Sequence, residues 1–387
     1  MTVEAPSPAT GRLHGVDSLR GLAAAAVFLC HIGTFWALGD PPEILLHLLS
    51  NGSHGVDVFI VVSGFCLALP VLARARTLDA RTFYGRRAWR ILPPYYVALG
   101  LAALLAVLPA TWPLVVAAPA TASDVAVHAL GAQTWFPPTL GTINGSLWSV
   151  SLELQLYLVF PLLVLVWRRW RSAGLLAAAL AVGLLWETLG RLTDTPYLGD
   201  GHALPACLIQ FVAGMVTAEA VRRGRTPRTR TISSLLAASV VVGAVVYSTD
   251  LPVPVQKVAW AAVGVTALLT VVSVAHRVPP AGVLERFGAR SFSFYLLHQP
   301  VMLLCGGLVA VMPGGWAARV VVGGGVVFAL VTALAFALYR FVELPSHRQG
   351  RRRFPTRPTL PPGRQPNDNA VARSTSTRKA MRSSPRG

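Results

Sequence analysis

Ten long apolar stretches follow one another along the chain, and each is long enough to cross the hydrocarbon core of a bilayer as a helix. We therefore predict an all-α fold, a polytopic membrane bundle of about ten transmembrane helices. The segment 112–135 is broken by Pro113 and Asp124, and we predict a loop with a short helix on the outer face there. The predicted spans are 19–38, 55–73, 91–110, 147–168, 173–192, 204–221, 232–249, 257–276, 291–312 and 317–340.

The basic residues fall almost entirely on one side of these spans. The formal net charge of +18 would also suit a nucleic-acid-binding protein. If the N-terminus is cytoplasmic, however, 31 of the 34 lysines and arginines lie in cytoplasmic segments, and only Arg191, Lys257 and Arg319 do not. Basic residues are enriched in the cytoplasmic loops of membrane proteins. The charge therefore predicts a multi-pass protein of the cell membrane with both termini in the cytoplasm and no nucleic-acid partner.

The two ends of the chain differ from the apolar part between them. Residues 1–14 are polar, contain proline and have no cleavable-signal character, so we predict a short cytoplasmic segment. Residues 15–345 form the predicted transmembrane domain. Residues 346–387 are rich in arginine, proline and serine and lack hydrophobic periodicity, which predicts a disordered cytoplasmic tail. Such a tail orients the protein, and a basic tail beside a membrane can also bind anionic lipid.

The first apolar stretch carries ionisable residues. Eleven positions separate Arg20 from His31, and eleven steps of 100° return to within about 20° of the starting direction. Both side chains therefore share one helix face, roughly 16 Å apart along the axis. Asp17 precedes Arg20 by three residues and is expected to pair with it. A histidine this deep in a span indicates either a functional site or a hydrogen bond to a neighbouring helix.

Three arginines, Arg86, Arg87 and Arg90, cluster where the third span begins. Arg86 and Arg90 share a face if this segment is helical. Guanidinium groups bind phosphate through paired hydrogen bonds, so the cluster predicts a site for a phosphorylated anion on the cytoplasmic side. The alternative is that these are ordinary arginines of a cytoplasmic loop.

The fourth span begins with a polar stripe. Ser149, Glu153 and Tyr157 follow one another at intervals of four residues, so their side chains lie on one helix face. A carboxylate roughly 9 Å inside a span requires a partner or a water-filled cavity. We expect His31 as its neighbour, since paired groups of this kind perform general acid–base catalysis. The alternative is a buried structural hydrogen bond.

Two further polar positions lie in other spans. In the second span Ser63 precedes Gly64, which permits close packing of helices. In the ninth span His298 lies at a depth similar to that of His31 and shortly before Pro300, and both a structural role and a role in the site remain open. The sequence has no Gly-rich phosphate loop, nucleophile elbow or metal-ligand spacing, so we predict no metal site. The four cysteines show no pairing pattern.

Six short motifs occur in an order that resembles the acyltransferase 3 family of integral membrane acyltransferases. They are Val16-Asp-Ser-Leu-Arg-Gly-Leu-Ala-Ala with His31, Gly55-Val-Asp-Val-Phe-Ile-Val-Val-Ser-Gly-Phe, Arg86-Arg-Ala-Trp-Arg-Ile-Leu-Pro-Pro-Tyr-Tyr, Trp148-Ser-Val-Ser-Leu-Glu-Leu-Gln-Leu-Tyr, Phe294-Tyr-Leu-Leu-His-Gln-Pro and Arg340-Phe-Val-Glu-Leu-Pro. The family's arginine–ten residues–histidine signature falls on Arg20 and His31. Two positions depart from the family pattern. Ser18 stands where glycine is commoner, and Leu152 stands where a second acidic residue is usual, which leaves Glu153 as the carboxylate of its motif.

The resemblance implies transfer of an acyl group from a thioester, usually an acyl-CoA donor, to a hydroxyl group, with no permanently bound cofactor. It implies that His31 is the essential base, with Glu153 in support. The expected partners are acyl-CoA, a hydroxyl-bearing small molecule or glycan, and membrane lipid. The candidate residues are His31 and Glu153 for catalysis, Arg20, Arg86, Arg87 and Arg90 for donor binding, and Asp17, Ser63, Ser149, Tyr157 and His298 for support.

In length and style of sequence the chain resembles stand-alone actinobacterial members that acylate macrolide antibiotics or their sugars, and we rank this acceptor first. Other stand-alone members modify cell-envelope polysaccharides or glycolipids, which is the second expectation. Two interpretations of another class remain open: a membrane transporter of an acylated or anionic small molecule, and a membrane scaffold without catalysis.

Overall fold

Regular structure throughout the described part of the chain is helical, as the apolar stretches predict. The computed structural model describes residues 15–355 except 37, 74–77, 194, 196–197, 250 and 275–281, so the predicted segment 1–14 and most of the predicted tail, 356–387, lie outside the described residues. The helices are α1 (Val16–Phe35), α2 (Glu43–Ser50), α3 (Gly55–Ala73), α4 (Ala80–Val107), α5 (Trp112–Val115), α6 (Ala122–Ala129), α7 (Trp148–Thr193), α8 (Leu204–Arg222), α9 (Thr229–Tyr247), α10 (Val253–Val274), α11 (Val283–Gly288), α12 (Ser291–Ala310), α13 (Gly315–Ala318), α14 (Gly324–Leu338) and α15 (Leu344–Arg353).

Within these ranges, nine helical segments are long and apolar enough to cross a membrane. One of them, α7, contains two of the predicted spans, 147–168 and 173–192. The two spans are separate helices, because the backbone breaks between them at Arg171. This residue adopts a left-handed φ of 59° with a ψ of −173°, which no helix accommodates. The predicted fold class is confirmed, and the chain is a multi-pass membrane protein.

The third span begins earlier than predicted. Helix α4 begins at Ala80 rather than at residue 91, and Asp79 caps it by accepting hydrogen bonds from the backbone N–H and the hydroxyl of Thr82. The predicted cytoplasmic loop is therefore helical from residue 80 onward. The arginines at 86, 87 and 90 consequently lie on a helix of the bundle.

The predicted tail also begins too early. The chain remains helical through Arg353, since α13, α14 and α15 are joined by π-helical turns at Arg319–Gly323 and Tyr339–Glu343. Helix α15 packs on α4, where Gly350 lies against Trp89 and the Arg353 guanidinium lies 4.9 Å from the centre of the Trp89 ring. The prediction of disorder is therefore wrong for residues 346–353, because packing on α4 orders them.

The loop predicted over 112–135 contains the short helices α5 and α6. Thr121 and Asp124 form a capping box at the start of α6, and the hydrogen bond from the Thr121 hydroxyl holds the pKa of the Asp124 carboxyl below its usual range. The Tyr95 hydroxyl donates to the carbonyl of His128 at 2.6 Å. This bond connects the loop to α4.

A carboxylate from a distant helix stabilises the start of α1. Glu285 of α11 accepts hydrogen bonds from the Ser18 hydroxyl at 2.6 Å, from the Ser18 N–H at 3.2 Å and from the Gly15 N–H at 3.3 Å. The first N–H groups of a helix lack intrahelical partners, and the helix dipole favours a negative charge beside them. Gly15, the N-cap, has no side chain that could accept these hydrogen bonds, and Glu285 supplies the acceptor instead. Glu285 thereby positions the helix that carries Arg20 and His31.

Helices α3 and α8 cross closely at two glycines. A Cβ at Gly64 would overlap the carbonyl of Phe211, and a Cβ at Gly214 would overlap the carbonyl of Val61. Small residues allow two helix backbones to approach in this way inside a membrane. The close crossing positions α3, which carries Ser63 into the interior of the bundle.

A buried ion pair joins α3 to α8 and α10. The carboxylate of Asp57, whose side chain is 7% exposed, lies 3.3 Å from the Lys257 ammonium and 2.5 Å from Nδ1 of His54. It also accepts a hydrogen bond from the Gln210 amide at 2.7 Å. Lys257 is one of the few basic residues outside the predicted cytoplasmic segments, and this carboxylate is its counter-ion.

Substitution of Gly64 by alanine tests the close helix crossing. The added methyl group meets backbone rather than a movable side chain, so we expect Gly64→Ala to destabilise the protein by about 1–3 kcal/mol. Gly100→Ala is the matched control, because no atom lies within 4 Å of a Cβ there, and alanine favours a helix by roughly 1 kcal/mol. Thermal unfolding of the detergent-purified variants measures both effects. Equal melting temperatures for Gly64→Ala and wild type would contradict the close crossing.

The ion pair gives a second prediction. Lys257→Met leaves a carboxylate buried without its counter-ion, and we expect a loss of about 3–5 kcal/mol. The double variant Asp57→Asn/Lys257→Met removes both charges and should recover most of that loss. Arg191→Met breaks an exposed pair with Glu187 and should cost under about 1 kcal/mol. Thermal unfolding of wild type and the three variants measures these losses. A double variant no more stable than Lys257→Met would show that the two charges do not neutralise each other.

Candidate active site

Helices α1, α3, α4, α7 and α12 surround a cavity that opens to solvent. Residues far apart in the sequence meet there, including most of the predicted site residues. The polar residues that line it are Arg20, Ser63, Cys66, Arg87, Arg90, Ser149, Glu153, Tyr157, Ser291 and Tyr295.

One part of the cavity wall is strongly basic. Arg20 of α1 lies there together with Arg87 and Arg90 of α4. The Arg87 guanidinium lies 5.5 Å from the centre of the Tyr157 ring and 5.9 Å from that of Phe83, so two aromatic rings hold its position. Three guanidinium groups in one partly desolvated cavity form a site suited to an anion with several negative charges.

Arg86 does not line this cavity. Its Nε donates a hydrogen bond to the carbonyl of Phe354 at 2.6 Å, at the end of α15. Arg86 and Arg90 lie about 40° apart around the helix axis, and the packing of α15 on α4 binds Arg86 outside the site. The prediction that Arg86 joins Arg87 and Arg90 at one anion site is therefore wrong.

The prediction that Asp17 pairs with Arg20 is also wrong, since these two side chains form no ion pair. Helix α11 packs on the first turn of α1, where the backbone of Asp17 lies against Gly288. Arg20, one turn later, lines the cavity instead, and its buried Nε has no hydrogen-bond partner among the described residues.

The polar stripe of α7 lies on the cavity as predicted, since Ser149, Glu153 and Tyr157 all line it. The Tyr157 hydroxyl donates a short hydrogen bond to Glu153, and the Ser63 hydroxyl donates to the same carboxylate at 3.4 Å. The carboxylate also interacts electrostatically with Arg87. Glu153 therefore belongs to the basic part of the site.

The expected contact between His31 and Glu153 is not formed. His31 instead faces His298 of α12, with 2.9 Å between Nδ1 of His31 and Nε2 of His298. The two rings are nearly parallel, with centres 4.9 Å apart. His298 is 1% exposed, whereas His31 is half-buried. Neither imidazole is among the residues that line the cavity, but the His298 ring lies 5.1 Å from that of Tyr295, which does line it.

A backbone carbonyl determines the tautomers of this pair. Nδ1 of His298 lies 2.6 Å from the carbonyl oxygen of Tyr295, which can only accept, so that nitrogen carries the proton. Nε2 of neutral His298 must then accept a hydrogen bond from Nδ1–H of His31. Among the residues that the structure describes, Nε2 of His31 has no hydrogen-bond partner, and its lone pair is available. In this tautomer, Nε2 is the nitrogen of His31 that can accept a proton.

Tyr295 was not among the predicted site residues, yet it connects the two halves of the site. Its ring lies 5.1 Å from the His298 ring, and its side chain lines the cavity. Its hydroxyl accepts a hydrogen bond from Ser149 at 2.8 Å. The sequence did contain a signal for Tyr295. It lies three residues before His298, so both side chains occupy neighbouring parts of one helix face.

Two further cavity residues were missed. Cys66 lies one turn after the predicted Ser63 and is exposed within the cavity. Ser291 begins α12, and its buried hydroxyl has no hydrogen-bond partner within the described ranges. A search of the same ranges finds no group of three or more histidine, cysteine or acidic residues that could hold a metal ion.

The fold and the site together define a class of protein: a multi-pass membrane protein with an imidazole pair held inside its helical bundle beside a cationic cavity. The chain belongs to the acyltransferase 3 family, because residues 13–340 match the family model of this acyltransferase domain. The resemblance of the six motifs is thereby confirmed. The protein is an acyltransferase enzyme, which sets aside the transporter and scaffold interpretations.

Similar proteins are found in several bacteria. Acyltransferase MdmB of Streptomyces mycarofaciens is 31% identical over 316 residues, which cover 76% of this chain and 80% of MdmB. Exopolysaccharide production protein ExoZ of Rhizobium meliloti is 27% identical over 325 residues, which cover 79% of this chain and 93% of ExoZ. Peptidoglycan O-acetyltransferase OatA of Listeria monocytogenes is 22% identical over 370 residues, and the match covers 87% of this chain but only 56% of OatA. No solved structure matches the chain.

The basic cavity predicts charge-selective chemistry at Cys66. Clefts lined by one sign of charge concentrate counter-ions by about tenfold or more. We expect a sulfonate-bearing methanethiosulfonate to label Cys66 about tenfold faster than its trimethylammonium analogue, relative to the same ratio for a free thiol. Cys66→Ser is the control, because it retains the partly exposed Cys305, which gives the background labelling, while Cys30 and Cys207 are buried. Mass spectrometry at low and high salt measures the rates. Equal relative rates for the two reagents would argue against an open, cationic cavity.

Proposed function

We propose that this enzyme transfers a short acyl group from acyl-CoA to a hydroxyl group of a macrolide antibiotic or its sugar. The observation that carries the proposal is the hydrogen-bonded pair of His31 and His298, in which Nε2 of His31 has no partner among the described residues. The His298 ring lies 5.1 Å from that of Tyr295, which lines the cavity that three arginines make cationic. A base is required because a hydroxyl group is a poor nucleophile near neutral pH.

The donor occupies the cavity in this proposal. Arg20, Arg87 and Arg90 bind its phosphate groups, because guanidinium groups match phosphate oxygens in charge and geometry. Glu153 is a positioning residue, since its carboxylate, held by Tyr157, lies near the arginines rather than beside the imidazole pair. Arg20 and His31 are separated by roughly 16 Å along α1, which suits a long donor whose thioester end reaches towards His31.

His31 moves the proton in the reaction. Its Nε2 accepts the proton of the acceptor hydroxyl as the oxygen attacks the thioester carbonyl carbon. The carbon–sulfur bond then breaks, and the proton passes to the departing thiolate. His298 supports His31 throughout, because its Nε2 accepts from Nδ1–H of His31 and stabilises the imidazolium that forms.

The relatives support two kinds of acceptor. Identity of 31% to the Streptomyces acyltransferase MdmB, over most of both chains, supports an acceptor of the kind that the actinobacterial members modify. A cell-envelope polysaccharide or glycolipid is the second candidate, and the match to nearly the full length of ExoZ favours it. The enzyme is further proposed to lie in the cell membrane with both termini in the cytoplasm, on the strength of its arginine distribution.

Histidine substitutions test the proposed base. General acid–base catalysis contributes about 10²–10⁴-fold, so His31→Ala should lower acyl transfer by at least about 100-fold without loss of the folded protein. His47→Ala is the matched control, because His47 lies on the exposed surface of α2 with Glu43 as its partner. Purified protein receives radiolabelled acyl-CoA and an acceptor panel of macrolide lactones, their glycosides and cell-envelope glycans. Mass spectrometry identifies the ester formed.

Three outcomes would contradict the proposal or a part of it. Full transfer by folded His31→Ala would remove His31 from the chemistry. Transfer by wild-type protein from a donor without phosphate groups as fast as from acyl-CoA would contradict the role of the arginines. A product formed only with glycans would replace the macrolide acceptor by the second candidate.

A further inference from the structure

The proposed reaction creates a negative charge that the base cannot stabilise. When a hydroxyl oxygen adds to a thioester carbonyl carbon, the carbonyl oxygen becomes an oxyanion. Preorganised hydrogen-bond donors at that position are usually the largest single source of rate enhancement in acyl transfer. Such a donor must face the bound thioester, lie near the base and have a proton that no protein group already uses.

The Tyr295 hydroxyl meets these three requirements. Tyr295 lines the cavity assigned to the donor, and its ring lies 5.1 Å from that of His298, whose ring is in turn 4.9 Å from that of His31. The base and the phenol thus flank the same imidazole. The phenol is rigidly held, because Tyr295 is 6% exposed and its ring packs edge-on against Phe59 at 6.1 Å.

The hydrogen bond from Ser149 leaves the phenol proton available. Ser149 donates to the Tyr295 oxygen at 2.8 Å, so the phenol is the acceptor in this bond and retains its own O–H for donation. Within the described ranges, Ser149 is the one side chain at hydrogen-bond distance from the phenol oxygen. Tyr157, the other tyrosine of the cavity, differs in this respect because its hydroxyl donates to Glu153.

We propose that Tyr295 is a catalytic residue that donates its phenol O–H to the carbonyl oxygen of the acyl group, an inference that rests on the proposed function. The acceptor oxygen forms a bond to the carbonyl carbon while its proton moves to Nε2 of His31. The electron pair of the C=O double bond moves to oxygen, where the Tyr295 O–H stabilises it. The oxyanion then collapses, the carbon–sulfur bond breaks and the thiol leaves with the proton from His31.

Ser149 is a positioning residue in this scheme. The Ser149 hydroxyl lies 2.8 Å from the phenol oxygen and 3.3 Å from the carbonyl oxygen of Ser146, and the shorter of the two bonds is the one to Tyr295. When Ser149 donates to the phenol oxygen, the phenol O–H is directed away from Ser149. A donated hydrogen bond also makes the phenol a stronger donor through cooperative polarisation. Two residues of the polar stripe of α7 thus have separate roles. Ser149 orients the phenol that contacts the acyl group, and Glu153 positions the arginines.

Removal of the phenol oxygen is the direct test. Loss of one oxyanion donor costs about 10²–10³-fold in kcat, so Tyr295→Phe should lower kcat by at least about tenfold, with the KM for acyl-CoA within about threefold of wild type. Protection of Cys66 from labelling by acyl-CoA should be unchanged, since donor binding does not depend on this oxygen. Tyr96→Phe is the matched control, because its exposed hydroxyl bonds only to the carbonyl of Ala129 in the loop.

Two further variants keep the test decisive if Tyr295→Phe folds poorly. Ser149→Ala should lower kcat by a smaller factor, about threefold to tenfold, with the same KM. A 3-fluorotyrosine at position 295 keeps the shape and strengthens the donor, so its kcat should equal or exceed that of wild type. A purely structural role predicts that fluorination lowers activity or that KM rises with the loss of the oxygen.

The outcomes separate this inference from the proposed function. No acyl transfer by wild-type protein, with any donor and acceptor of the panel, would contradict the proposed function and remove the basis for the inference. Transfer by wild type together with a kcat of Tyr295→Phe within threefold of it would overturn the inference alone. A loss confined to KM would reassign Tyr295 to donor binding and equally overturn it.

Discussion

The absence of water in the hydrocarbon core governs the arrangement of this protein. Polar side chains inside a bilayer must find partners or line a cavity, because an unsatisfied group there is costly. The described polar residues of the spans meet this requirement mainly in two places. Asp57 and Lys257 neutralise each other beside His54 and Gln210, whereas the arginines, Glu153 and the tyrosines share the cavity. The first group joins three helices, and the second forms the candidate site.

The site is assembled from elements that are distant in sequence, and two contacts outside it keep those elements in place. Glu285 holds the start of α1, and the crossing of Gly64 with Gly214 brings α3 close to α8. The hydrogen bond between His31 and His298 then joins α1 to α12 at the depth of the proposed chemistry. Arg20 and His31 consequently share α1, whereas Arg87 and Arg90 come from α4 and His298 comes from α12.

Parts of this site could be predicted from the sequence because helix periodicity places residues on faces. The stripe Ser149–Glu153–Tyr157 lies on the cavity as the interval of four residues indicates. The interval from Arg86 to Arg90 was equally regular, but the carbonyl of Phe354 binds Arg86 outside the site. Periodicity cannot predict this bond, because its partner lies 268 residues further along the chain, at the end of a helix that packs on α4.

By itself, the sequence determined the membrane class, the helical fold and the family. These follow from the length of apolar stretches, the placement of arginines and the order of short motifs, all of which are local properties. Only the tertiary structure decided that His31 pairs with His298 rather than Glu153, and that Tyr295 stands between the imidazoles and the cavity. The physical reason is that hydropathy and periodicity specify the depth and face of a residue on its own helix. The neighbour that this face meets is set by the packing of helices against one another.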